Sequence, residues 1–103
     1  MADNIIITLS TIVQRNEIRF IANKLGEEMV MMNMDNGDFI TLNNVGADIW
    51  GLSGQPLPVS GLVQKLLSIY DITDEQCTNE TIKFLQTSME QGMFTIHSNL
   101  NGG

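Results

Sequence analysis

Basic residues are scarce in this sequence. Five lysines and arginines stand against twelve acidic residues, a formal net charge of −7 over 103 residues. Such a surface repels a phosphate backbone and an anionic bilayer alike, so neither nucleic acid nor a membrane is an expected partner. Cysteine is scarcer still. Cys77 stands alone and cannot close an internal disulfide, and with no signal-type apolar run at the start the chain reads as cytoplasmic. The one histidine, His97, falls on a different expected element from Cys77, and the pair has neither the spacing of a zinc site nor that of a Cys/His dyad. Apolar runs such as Ile5 to Ile7 and Met29 to Met32 are strand-length, far short of the roughly 20 residues that a membrane helix needs.

What is present is the material of one small domain. Hydrophobic residues make up 43% and charged residues 17% of the chain, a balance that folds, in a length that leaves no room for a second core. The β-branched residues Ile5 to Thr8 and Thr11 to Val13 make the first sixteen positions an arm or an extra strand. Ile18 to Asn23 and Glu28 to Met34 read as strands, and Asn36-Gly37 predicts a two-residue type I′ turn into a further strand over residues 38–42. With that loop, Met34 pairs with Phe39, Asn33 with Ile40, Met32 with Thr41 and Met31 with Leu42. Both faces of the hairpin are then largely apolar, whereas an antiparallel hairpin ordinarily keeps one face wet. Its second face calls for another element, a partner or another copy of the chain.

The period then changes to that of helices. Asn43 or Asn44 can cap a short helix carrying Val45, Ile49, Trp50 and Leu52, and Gln55 to Pro58 is a stiff connector. Val59, Leu62, Val63, Leu66, Leu67 and Tyr70 form one apolar stripe of a second helix. A third opens on the capping pattern Thr73-x-x-Gln76 and runs to Gln91, with Gly92 ending it. Met93 to His97 is a short strand or irregular, and residues 98–103 are a flexible, glycine-rich tail. The fold class is therefore α+β: a three-stranded antiparallel sheet followed by three helices, in the manner of a winged helix-turn-helix.

Catalysis finds little to work with. Asp71, Asp74 and Glu75 gather where the third helix begins, which the helix dipole favours without any further role. No metal, cofactor or nucleophile–base pair is indicated, and the chain is not expected to be an enzyme. Methionine stands out instead. Met29, Met31, Met32 and Met34 crowd one strand on alternating sides, so they cannot all face one core, and methionine also lines grooves that accept varied apolar partners.

The run GEEMVMMNMDNGDFITLNNVGADIW, the helix from Val59 to Tyr70 and the segment FLQTSMEQGMF together resemble the PqqD-like family of peptide-recognition domains. The residues that carry the likeness are Gly26, Glu28, Gly37, Leu42-Asn43, Gly46, Ile49-Trp50, Tyr70-Asp71 and Phe84-Leu85 through Gly92. Pro58 departs from it, standing where the family has a Ser or Thr cap. The resemblance implies a recognition domain over residues 17–97 that binds the leader of a ribosomally made precursor peptide and presents it to a modifying enzyme such as a radical SAM protein or a leader peptidase. The leader would add a strand beside Asp38, Phe39, Ile40, Thr41 and Leu42, against a helix wall of Ile82, Leu85, Gln86 and Met89, with Lys83 and Arg19 as charge contacts. Two other readings share these elements. A structural homodimer would cover the apolar hairpin face with its own twin. A winged-helix DNA binder would need a basic recognition helix, and residues 74–91 hold Lys83 as their one base.

Overall fold

A computed structural model describes residues 6–26 and 28–97. Ile5 and the expected tail over 98–103 lie outside the described residues. Among the described residues nine elements follow one another: β1 (Ile12–Arg15), β2 (Phe20–Leu25), β3 (Glu28–Asn33), β4 (Phe39–Leu42), α1 (Asn44–Leu52), β5 (Leu57–Pro58), α2 (Val59–Ile69), α3 (Asp74–Glu90) and β6 (Phe94–His97). The expected antiparallel sheet followed by three helices is present as β2-β3-β4 and then α1, α2 and α3. A second three-stranded antiparallel sheet, β5-β1-β6, joins the two ends of the domain. Ile12 faces both Pro58 and His97 across it, and Arg15 faces Phe94.

The hairpin register differs from the sequence expectation by two residues. Met32 pairs with Phe39, Met31 with Ile40, Val30 with Thr41 and Met29 with Leu42. A type I′ turn needs two successive left-handed residues, but Gly37 is left-handed (φ 79°) and Asn36 is not. The loop therefore lengthens to residues 34–37. Asn33 N–H donates to Asp38 O at 2.8 Å and Gly37 N–H to Asn33 O at 2.7 Å. Side-chain oxygens of Asn33 and Asn36 accept from the N–H groups of Asp35 and Asp38, holding the turn without a second positive φ.

Helix ends explain how the N-terminal segment belongs to the domain. Thr73 caps α3 by accepting from Gln76 N–H, and Asn43 caps α1 by accepting from Gly46 N–H. Pro58 precedes α2 and has no side chain that can do this. The cap is supplied from a distance: Val59 N–H donates to Thr11 O and Ser60 N–H to Leu9 O, both at 2.9 Å. These bonds satisfy donors that every helix start leaves open.

The core lies between the two sheets and the helices, with Val13, Phe20, Met31, Leu42, Ile49, Trp50, Leu62, Leu66, Leu85 and Met93 among its buried members. Each such side chain contributes about 1.5–3 kcal/mol by leaving water. Trp50 and Phe84 both meet Phe94 edge to face, and the Arg15 guanidinium lies 5.6 Å over the Trp50 ring. Asn16 fastens the turn between the sheets with all its polar groups. Its backbone N–H donates to Met93 O and its carbonyl accepts from Phe20 N–H. Its side chain accepts from Ile18 and Arg19 N–H and donates to Gly92 O. No described helix is long and apolar enough to cross a membrane.

Candidate functional site: an open strand edge beside the third helix

β4 pairs on one side with β3 and, among the described residues, has no neighbouring strand on the other. In an antiparallel pair, residues alternate between those bonded to the partner and those whose N–H and C=O point away. Asn33 N–H bonds to Asp38 O, and Met34 N–H bonds to Arg19 O on the opposite side of β3. Counting from these two bonds, Ile40 and Leu42 are tied to Met31 and Met29, while Phe39 and Thr41 aim their backbone groups at the open edge. Four main-chain groups are thus offered to an extended peptide.

The two free edges of this sheet are not alike. β2 carries Lys24, a charge that discourages strand pairing, and the N–H of Phe20 is already taken by Asn16 O at 3.2 Å. Phe-Ile-Thr-Leu of β4 has no charge and no proline. Natural edges are usually blunted by one or the other, so an unblunted one marks a surface kept free for pairing.

Two cavities lie near β4, one between the strand and the cap of α3 and one between the start of α1 and α3. The first, about 410 Å³, lies between the β3–β4 turn and the end of the helix and is lined by Asn33, Asn36, Asp38, Phe39, Ile40 and Gln91. The second, about 350 Å³ and mostly apolar, is lined by Asn43, Val45, Glu80, Lys83, Phe84 and Thr87. Its floor depends on Gly46: a Cβ there would stand 3.0 Å from Cε1 of Phe84, so glycine lets the ring settle against the first turn of α1.

The residues expected from sequence fall into two groups. Asp38, Phe39 and Ile40 line the first cavity, Thr41 is exposed on the edge, and Lys83 lines the second cavity. Leu42 and Met89 are buried and Leu85 is wholly inaccessible, while half-buried Ile82 packs on the core; these four support the groove from beneath. Gln86 is half-buried and lines neither cavity. The helix positions that do reach the cavities are Glu80, Lys83, Phe84, Thr87 and the cap residue Gln91. They repeat at helical spacing one stripe round from the apolar stripe. The most apolar stripe goes to the core, because burial is what the hydrophobic effect rewards. Its polar flank is left to face the groove, and among the wall residues only Lys83 and Phe84 gave a sequence signal. Arg19 is engaged by Asp35 at 3.0 Å, and its side chain lies beside Gly92, just past the end of α3.

The titratable groups outside the groove have structural surroundings. Cys77 is buried, its Sγ lies 3.9 Å from Val63 O, and burial pushes the thiol up against a lowering hydrogen bond from Thr81. Exposed His97 shares a hydrogen bond with Gln14 at 2.8 Å. Tyr70 donates its hydroxyl to Asp48 at 2.5 Å, and this bond, aided by burial and the carboxylate's charge, pushes the phenol up to about 12. Among the described residues no cluster of three His, Cys, Asp or Glu could hold a metal ion.

Comparison with known proteins gives one family and one fold. The family described as coenzyme PQQ synthesis protein D (PqqD) matches residues 28–93. Among solved structures, one described as TbiB1 in complex with the TbiA(beta) leader peptide is similar, with a TM-score of 0.71 at 16% identity. The match covers 84% of this chain and 99% of that one. No curated protein matches.

Proposed function

This chain belongs to the PqqD family, and from that membership we propose that it is a non-catalytic carrier of a precursor peptide's leader, which it binds by strand addition to β4 and presents to a modifying enzyme. The open, uncharged edge of β4, with one cavity reaching from it to Gln91 and a second between the start of α1 and α3, is the observation that carries the reading. An extended leader segment would exchange hydrogen bonds with Phe39 and Thr41. Alternate side chains would enter the cavities that end at Gln91 on one side and at Val45 and Phe84 on the other. A protein of similar fold is described in complex with a leader peptide, which supports a leader as the ligand. Holding the leader converts the meeting of precursor core and enzyme into a tethered event, raising local concentration without making or breaking a bond. A radical SAM protein or a leader peptidase is the kind of enzyme served, and the cytoplasm is where such precursors are made.

The test is an amide-resolved titration of the full chain with the leader of a precursor encoded beside it. Slowed hydrogen exchange at the Phe39 and Thr41 amides, with shifts at Lys83, Phe84 and Thr87, is the expected result. Binding that leaves both amides in free exchange would refute strand addition at β4, and no binding of any neighbouring leader would refute the carrier role.

A further inference from the structure

β4 offers an incoming strand the backbone of Phe39 and Thr41 and nothing more. Main-chain bonds form with a parallel or an antiparallel peptide alike, and a peptide that slides by two residues remakes them. Side chains must therefore decide which segment of a leader binds and which way it runs. The two ends of β4 are oppositely charged. Asp38, just before the strand, is the one charged residue lining the cavity at the β3–β4 turn. Lys83 is the one base lining the cavity between α1 and α3, which also holds Asn43, just after the strand. Both residues are exposed, and neither joins the two ion pairs among the described residues, Arg15–Glu17 and Arg19–Asp35. Glu80, the other charge in the second cavity, is engaged one turn back, where it accepts from Gln76 at 3.0 Å.

We infer that the leader carries a cationic side chain that meets Asp38 and an anionic one that meets Lys83, and that this opposed pair fixes its register and direction. The inference rests on strand addition at β4. From Asp38 to Asn43 the chain advances at about 3.3 Å per residue, so the two ends stand about 16 Å apart and the two leader charges about five positions apart. A reversed leader sets cation against Lys83 and anion against Asp38, replacing two attractions by two repulsions. A slide of two residues carries each charge about 7 Å from its partner. Charges arranged in this way select one arrangement over others more than they add affinity. The acidity of the chain sharpens the choice. Of its five basic residues Lys83 alone lines either cavity near β4, so an anionic leader side chain is drawn to that end.

Calorimetric titration of the full chain with the leader of the precursor encoded beside it tests this, at low salt and again at about 1 M, where exposed charges are screened. Exposed ion pairs are worth a few-fold in affinity, so at low salt Asp38→Asn and Lys83→Gln should each weaken binding about twofold to fivefold, and Lys83→Glu about tenfold. Near 1 M salt these differences should vanish. Lys65→Gln and Asp71→Asn, which change net charge equally but line neither cavity, should bind as wild type does. A leader whose matching acidic residue is changed to Lys should restore binding to Lys83→Glu. Binding that protects the Phe39 and Thr41 amides yet ignores the Asp38 and Lys83 substitutions overturns the charge inference and leaves the carrier reading standing. Weakening that no charge-reversed leader restores overturns it as well, since the charges then do not meet. A wild-type chain that binds no neighbouring leader overturns the carrier reading itself, and this inference with it.

Discussion

Thr41 and Ile40 are neighbours on one strand, yet proline should do opposite things at the two positions. Thr41 N–H points to the open edge, so Thr41→Pro removes no bond within the domain. Its side chain is exposed, and the residue before it is already extended, as a residue preceding proline prefers to be. The cost to folding should stay under about 1 kcal/mol, as for proline on other sheet edges. An incoming leader strand loses more. It forfeits one backbone bond worth about 1 kcal/mol net and leaves its own carbonyl facing a ring, for about 2–3 kcal/mol in total. At 1.4 kcal/mol per decade, leader affinity should fall about 30- to 150-fold. Ile40→Pro instead removes the N–H that bonds to Met31, a residue with no exposure, and strips a side chain packed on the core. That variant should lose about 3 kcal/mol or more of stability. Urea denaturation and calorimetric titration of both variants, with Thr41→Val as the side-chain control, read the contrast. If Thr41→Pro binds leader within threefold of wild type, or if the two prolines destabilise equally, the assignment of free and paired backbone groups on β4 is wrong.

Further outcomes follow from other parts of the molecule. Asn16→Ala deletes three side-chain hydrogen bonds at the turn joining the sheets and should cost about 2 kcal/mol in urea denaturation. Gly46→Ala should change stability by less than about 1 kcal/mol, because better helix propensity offsets the contact with Phe84. It should still weaken leader binding, since the displaced ring fills the apolar cavity, and chemical shifts of the Phe84 ring report the move. Tyr70 should ionise near 12 in a spectrophotometric titration. Because its folded pKa lies above the unfolded value of 10.0, the stability it lends is complete below pH 10 and is lost as pH climbs through about 12. Tyr70→Phe should abolish that pH dependence and cost about 1 kcal/mol near neutrality. Cys77 should react with a thiol reagent at the rate of unfolding, since it is 2% exposed.

Much of this was written in the order of residues. The helical periods from Val59 and from Thr73, the stop at Gly92 and the alternation in β3 are local signals, and local signals survive in any tertiary setting. Even the misjudged hairpin register left every side chain on its proper face. The error was two residues, the period of a strand is two, and the doubly apolar hairpin was therefore legible despite it. Three things were decided only when the chain closed on itself. The second sheet depends on β1 meeting β6, whose residues 12 and 97 lie at opposite ends of the domain, and no local pattern announces such a pairing. The start of α2, which Pro58 leaves uncapped, is completed by carbonyls of Leu9 and Thr11 that sequence could not place there. The wall of the groove is the stripe of α3 beside its most apolar one, because the core claims the apolar residues first and the surface that remains for a partner is set by what the core has already taken.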